Sequence, residues 1–291
     1  MSSSENYILP SKIVGLIFVL SLIFFDLGNS YSSIIFIVIM LLIGIPHGSV
    51  DHIIAFINPK TRKFKSKFHF FFAYISLIIL NTFIWIFSPY LGLSIFLIVS
   101  CYHFGEAQII GFNGTDNKLL NFVIGANILL SLFLNNIYEL QEILVDFTFF
   151  SSADLSGFDD VFFLLISVSV LMISVVNFKI KRTIPLYGEI MVLYLIFYHT
   201  DILTSFSLFF GFSHSLPMLM MEYKEMKEKS FIKFYIKTLP FTFLAILFGF
   251  ILYNFNNSLF TSDNLILFIF IIISSLTLPH VFIMKDFVKD K

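Results

Sequence analysis

Four histidines stand beside small or bend-forming residues in a chain that is otherwise strongly apolar. They occur in Gly44-Ile45-Pro46-His47-Gly48-Ser49-Val50-Asp51-His52, Tyr102-His103-Phe104-Gly105-Glu106, Phe212-Ser213-His214-Ser215 and Leu278-Pro279-His280. Each lies near the end of a hydrophobic run. Isolated polar side chains are costly in hydrocarbon, and neutral imidazole is a common transition-metal ligand. A shared metal site would account for the recurrence, with His47, His103, His214 and His280 as candidate ligands. Two carboxylates could orient them. Asp51 follows His47 by four residues and shares its helical face if the helix continues past Gly48; there it could fix a ligand's tautomer. Glu106, three residues after His103, could do the same or bind the metal itself.

The elements that would position these residues follow from composition. With 58% hydrophobic and 13% charged residues over 291, and a mean hydropathy of +0.92, the apolar surface exceeds what one soluble core could hide. The expected fold is an all-α integral membrane protein, a multi-span helical bundle forming a single polytopic domain over 1–291. A net charge of −1 excludes nucleic-acid binding through a basic surface. A single cysteine, Cys101, excludes an intrachain disulfide and reads as a small packing residue. Apolar runs long enough to cross a bilayer lie near 12–28, 31–50, 69–88, 89–108, 118–136, 161–178, 184–200, 202–221, 234–253 and 264–284. The first has neither a basic leader nor a small-residue cleavage site and is taken as a retained helix. The division at His199-Thr200-Asp201 has no Gly or Pro to mark it and rests on charge alone.

Lys and Arg set the orientation. Lys60, Arg62, Lys63, Lys65 and Lys67 place the second connection in the cytoplasm, and counting onward puts all 18 basic residues on that side. The ten spans therefore leave both termini cytoplasmic. Glu139, Glu142, Asp146, Asp154, Asp159 and Asp160 share one loop on the opposite side. Trp85 and Tyr90, near outer span ends, read as interface anchors. His47, His103, His214 and His280 then fall on spans of one direction, roughly 20–25 Å from the outer start at 1.5 Å per residue. His199 is excluded by depth, while His52 and His69 belong to the membrane surface. A lone intramembrane histidine more often makes a helix-to-helix hydrogen bond, and Pro and Gly also terminate helices. Asp51 and Glu106 equally fit charges at the cytoplasmic edge. Four imidazoles at one depth weigh towards a site.

Gly44 to Asp51 as Gly-x-Pro-His-Gly-x-x-Asp, followed in order by Tyr102-His103-Phe104-Gly105, His214-Ser215 and Leu278-Pro279-His280, resembles the Brp/Blh-type beta-carotene 15,15'-dioxygenase family. The resemblance implies a multi-span membrane enzyme, expected in the cell's inner (cytoplasmic) membrane. It implies central cleavage of beta-carotene by dioxygen at a non-haem iron, Fe(2+), giving two all-trans-retinal that serve microbial rhodopsins. It also implies that His47, His103 and His214 are iron ligands. The family pattern has a further ligand histidine four residues after His214, where this chain has Met218. A thioether is a soft ligand and a poor substitute on Fe(II). Depth, rather than the motif, nominates His280 as the fourth ligand. Phe104, Phe209, Phe210 and Phe212 are candidates to line an apolar tunnel for the polyene, although such residues more often pack.

Two other classes remain open. A membrane di-iron hydroxylase or desaturase uses clustered histidine pairs, and here only His47 and His52 are closely spaced. A transporter would show midplane acids or broken paired repeats, whereas the charges of this chain sit mainly at span ends.

Overall fold

A computed structural model describes residues 5–25, 28–57, 64–111, 117–145, 183–255 and 265–289, together with Phe147, Leu165, Val168, Ser169 and Met172. Among the described residues every regular element is a helix. In chain order these are α1 (Glu5–Phe24), α2 (Gly28–Ile39), a π-helical segment (Met40–Gly44), α3 (Ile45–Gly48) and α4 (Asp51–Ile57). There follow α5 (Lys67–Phe87), α6 (Pro89–Gly111), α7 (Lys118–Asn135), α8 (Ile137–Ile143) and α9 (Thr183–His199). The chain continues through α10 (Ile202–Phe206), a second π-helical segment (Ser207–Ser215), α11 (Leu216–Glu225), α12 (Phe231–Phe255) and α13 (Leu265–Lys289).

Seven helical stretches among the described residues are long and apolar enough to cross a membrane: Tyr31–Ile57, Lys67–Phe87, Pro89–Ile109, Lys118–Asn135, Ile202–Glu225, Phe231–Asn254 and Ile266–Met284. The first and seventh expected spans correspond to shorter apolar helices, Leu9–Phe24 and Gly188–His199. The sixth, 161–178, lies outside the described residues apart from Leu165, Val168, Ser169 and Met172. The unmarked division after His199 is present. Asp201 has extended backbone and its Oδ1 accepts Leu203 N–H and Thr204 N–H, each at 3.0 Å, starting a new helix. Glu139 Oε2 accepts the next free donor, Ile202 N–H, at 2.6 Å.

Burial separates the centre of the bundle from its rim. Of the most apolar stretch of Ile202–Glu225, 94% is inside the protein, against 22% for those of Lys67–Phe87 and Phe231–Asn254. The central element thus carries Thr204, Ser205, Ser207, Ser213, His214 and Ser215 in the interior. Lipid is as apolar as leucine, so helices associate through close packing and interhelical hydrogen bonds rather than through hydrophobic burial. Both are visible. α6 and α7 cross with backbones in contact at Gly105 and Gly125. A Cβ on Gly105 would lie 1.7 Å from Asn121 O, and one on Gly125 would lie 1.7 Å from Cys101 O. Cys101 is buried beside this crossing, the small packing residue expected.

α5 is fastened to α13 by polar side chains. Asn81 Nδ2 and Trp85 Nε1 donate to Ser274 Oγ at 3.1 and 2.9 Å, and Thr82 Oγ1 donates to Ser275 Oγ at 3.2 Å. Trp85 is therefore no interface anchor: its indole N–H has a partner inside the bundle, and 1% of the residue is exposed. Tyr90 remains exposed. At the ends expected to face the cytoplasm, Lys12 Nζ of α1 lies 2.7 Å from Glu189 Oε2 of α9 and 3.4 Å from Gln108 Oε1 of α6.

The two π-helical segments have a common local cause. Each ends two residues before a proline, Pro46 or Pro217. Proline has no N–H to donate and its ring clashes with the carbonyl four residues back. The chain responds by widening to i→i+5 bonds, Ile45 N–H to Met40 O and Leu216 N–H to Gly211 O. The Leu42 carbonyl that Pro46 cannot serve instead accepts the Tyr235 hydroxyl of α12, at 2.8 Å.

Candidate metal centre

Each candidate histidine sits at one of these irregularities. His47 follows Pro46 in the short α3, directly after the first π-helical segment. His214 lies within the second. His103 is two residues before the glycine that lets α6 meet α7. His280 follows Pro279 inside α13, one turn and a half beyond the serines bonded to α5. All four side chains are buried and line a single cavity of about 440 Å³.

The rings meet edge to face. Centroids are 4.6 Å apart for His47 and His280, 4.8 Å for His103 and His214, 5.2 Å for His103 and His280, and 5.3 Å for His47 and His214. One nitrogen from each of His47, His103 and His280 lies within 4.8 Å of the others, a group that could hold a metal ion. His47 Nε2 and His280 Nε2 are 3.0 Å apart. Two nitrogens bound at right angles to an ion at about 2.1 Å would be separated by roughly 3.0 Å. His103 Nε2 and His214 Nδ1 are buried without a hydrogen-bond partner. Buried polar atoms normally find partners, so the donor set, its spacing and its unsatisfied nitrogens fit a bound transition metal.

Asp51 meets a different histidine from the one that its spacing suggested. The helix does not continue past Gly48; it ends at Ser49, whose Oγ bonds Ile45 O at 2.9 Å and Thr242 Oγ1 at 3.0 Å, and restarts at Asp51. That turn brings the Asp51 carboxylate to His280 Nδ1, at 2.9 and 3.0 Å from its two oxygens. Tyr74 of α5 donates to the same carboxylate at 2.8 Å. A carboxylate on the far nitrogen of a ligand imidazole fixes its tautomer and direction. Glu106 is buried and accepts the Tyr102 hydroxyl at 3.0 Å, off the cavity wall.

The remaining wall is mostly apolar, with Ser49, Asp51, His52, Tyr74 and Thr277 as its polar members. Phe104 and Phe210 line the cavity, whereas Phe209 and Phe212 pack in the interior beside it. Phe70, Phe71 and Tyr74 of α5 and Phe241 and Phe248 of α12 add to the aromatic lining. Ile75, Ile79 and Leu244 also line it while 51%, 48% and 52% exposed, so it opens on the outer surface of the bundle between α5 and α12. His52 sits on this wall too, with its ring 4.2 Å from that of Phe241. His69 is exposed and hydrogen-bonded to Ser66, and His199 is exposed at the end of α9, both away from the cavity. Met218, at the position of the family's further histidine, packs with Ala107, Met221 and Met284 rather than on the cavity wall.

Glu222 is a residue that the sequence motifs did not disclose. It is 0% exposed, and its Oε1 lies 2.9 Å from His47 Nδ1. The approach is out of line, so neither atom completes a hydrogen bond. A signal for it existed: Glu222 follows His214 and Met218 at successive intervals of four, along one helical stripe. Ending the span at 221 put it in a loop.

A family model described as Beta-carotene 15,15'-dioxygenase matches residues 38–287, a stretch that contains all four histidines, Asp51 and Glu222. No curated protein and no solved structure matches the chain.

Proposed function

Because the chain belongs to the beta-carotene 15,15'-dioxygenase family, we propose that it cleaves beta-carotene at the central 15,15' double bond with dioxygen, giving two all-trans-retinal. The observation that carries this reading is the cavity in which four buried histidines face a wall of phenylalanine, isoleucine and leucine. His47, His103, His214 and His280 would hold one non-haem iron, with Asp51 directing His280. Bound Fe(II) would supply the capacity to bind and activate dioxygen. The net change replaces one carbon–carbon double bond by two carbonyls and consumes one dioxygen, with no net proton transfer. The work left to the protein is placement and exclusion of water. Phe104 meets His214 edge-on and Phe210 stacks on it, with centroids at 4.8 and 5.8 Å, and the two would hold the polyene's midpoint beside the imidazoles. The opening between Ile75, Ile79 and Leu244 would admit a lipid-dissolved substrate laterally.

The enzyme would lie in the inner membrane with ten spans and both termini in the cytoplasm. The distribution of Lys and Arg supports this arrangement, as does the meeting of Lys12, Gln108 and Glu189 at one end of the bundle. Retinal released into the bilayer would be available to a microbial rhodopsin.

The test is pigment analysis of beta-carotene-producing bacteria that express the chain or its His47→Ala variant. Retinal should appear as beta-carotene falls, in the parent only. Well-expressed, iron-supplied protein that leaves beta-carotene untouched would refute the substrate assignment. The metal content of purified protein, one iron against two, separates this reading from a di-iron hydroxylase.

A further inference from the structure

The four histidines do not exhaust the ionisable groups of the cavity region, and Glu222 has no place in the chemistry described so far. It lies deeper than Asp51, at 0% exposure, in α11 among Met218, Leu219 and Met221. Both of its carboxylate oxygens lack a hydrogen bond. Burying such a group without a partner is costly, and an unsatisfied buried group in a folded protein commonly marks a function or a missing ion. Its near neighbour is His47: Glu222 Oε1 stands 2.9 Å from His47 Nδ1, while His47 Nε2 stands 3.0 Å from His280 Nε2. The two nitrogens of one ring thus point at different partners, a carboxylate on one side and the histidine cluster on the other.

The same arrangement is complete in the neighbouring histidine. His280 Nδ1 is hydrogen-bonded to Asp51 while its Nε2 faces His47. We propose that Glu222 is a positioning residue for His47, accepting a hydrogen bond from Nδ1–H so that Nε2 is the nitrogen presented to the metal. The distance is already that of a hydrogen bond, and only alignment is missing. His47 and His280 are then a matched pair, each with Nδ1 held by a buried carboxylate from another helix and Nε2 directed into the shared site. Neither carboxylate belongs to the three-histidine group itself. The role is one of orientation and charge: an imidazole backed by a carboxylate is a stronger ligand, and the loss of such a partner typically lowers metal affinity about 10–100-fold. This inference rests on the metal site proposed above, and its test separates the two.

Purified full-length protein in detergent is freed of metal and titrated with Co(II), whose visible absorption reports ligand geometry, for the parent, Glu222→Leu and Glu222→Gln. Glu222→Leu removes the acceptor at similar volume and should weaken Co(II) about 10–100-fold with a changed spectrum. Glu222→Gln keeps an acceptor oxygen without the charge and should lose less. The metal-free leucine variant should melt no lower than the metal-free parent, because an unsatisfied buried carboxylate has been removed. Unchanged affinity and spectrum in Glu222→Leu would overturn the proposal while leaving the metal site standing. A weaker site accompanied by an equally lowered melting temperature of the metal-free variant would also overturn it, since that is the mark of a structural residue. A parent that binds no Co(II) and no iron would remove the metal reading itself.

Discussion

Alanine at Gly105 should disable the metal site without touching a ligand. The added Cβ would stand 1.7 Å from Asn121 O, 2.6 Å from Asn121 C and 2.8 Å from Gly125 N, all backbone atoms that no rotamer change can move. A carbon rests against a carbonyl oxygen at about 3.3 Å, so α6 and α7 must part by roughly 1.6 Å. α7 is braced by α9 and α10, and α6 by α5 and α13, so the displacement is shared. Even half of it, about 0.8 Å at His103, exceeds the roughly 0.2 Å over which metal–ligand distances hold. Overpacking of this kind costs about 1–3 kcal/mol, which lowers stability but leaves the bundle folded. The assay is Co(II) or Fe(II) titration together with far-UV circular dichroism. Affinity should fall at least about tenfold while helical content stays, and Gly125→Ala, whose Cβ would meet Cys101 O at 1.7 Å, should behave alike. Gly188→Ala is the control, since a Cβ there has nothing within 4 Å. Metal affinity within twofold of the parent in Gly105→Ala would refute the argument that the glycine crossing sets the position of His103.

Asp51→Ala breaks the contacts to His280 Nδ1 and Tyr74 Oη; it should weaken metal binding about 10–100-fold, whereas Tyr74→Phe, which leaves the Asp51–His280 pair intact, should change affinity far less in the same titration. Met218→His should not create a stronger site, because position 218 packs among Ala107, Met221 and Met284; metal stoichiometry should stay unchanged while stability falls by about 1–3 kcal/mol from a buried, unpaired ring, and a tighter site would contradict the placement of Met218. Glu139, in the short α8, has its carboxyl raised above the ordinary 4.5 by burial and by Asp201 and Glu142, against the lowering effect of the Ile202 N–H. The folded chain then keeps that proton after the unfolded chain has lost it, so stability falls as pH rises from 4.5 through the folded value. Glu139→Gln should flatten that part of a melting-temperature profile, and an unaltered slope would remove Glu139 as its source.

The histidine positions were legible because each departs from its surroundings: an imidazole within two residues of Pro, Gly or Ser stands out in an apolar run, where polar side chains are costly. His280 was reached by depth alone, from the direction that charge segregation predicts for its span. What escaped depended on contacts between distant parts of the chain. Asp51 meets His280 rather than His47, its neighbour by helical spacing, because the helix breaks at Ser49, and that turn is held by Thr242, which is 193 residues away. Trp85 looked like an interface residue because its partner, Ser274, is 189 residues off. The cavity wall draws Phe70, Phe71, Phe241 and Phe248 from two helices, and in a chain with 41 phenylalanines no periodicity distinguishes them. Asp201, by contrast, carried an ordinary helix-capping signature before an apolar run, and attention to Gly and Pro alone overlooked it.

The π-helical segments make the chemistry depend on backbone register as well as on residue type. In Ser207–Ser215 the backbone accommodates more residues per turn than an α-helix would. The flanking helices keep their relative orientation only while that widening persists: if the segment closed to the ordinary i→i+4 pattern with every residue kept, everything on one side would rotate by roughly 100° relative to the other. His214 would then turn off the common point while every histidine remained in the sequence. A change that closes the segment would therefore silence such a protein without altering any histidine, and a search for its histidine motifs would still find them all.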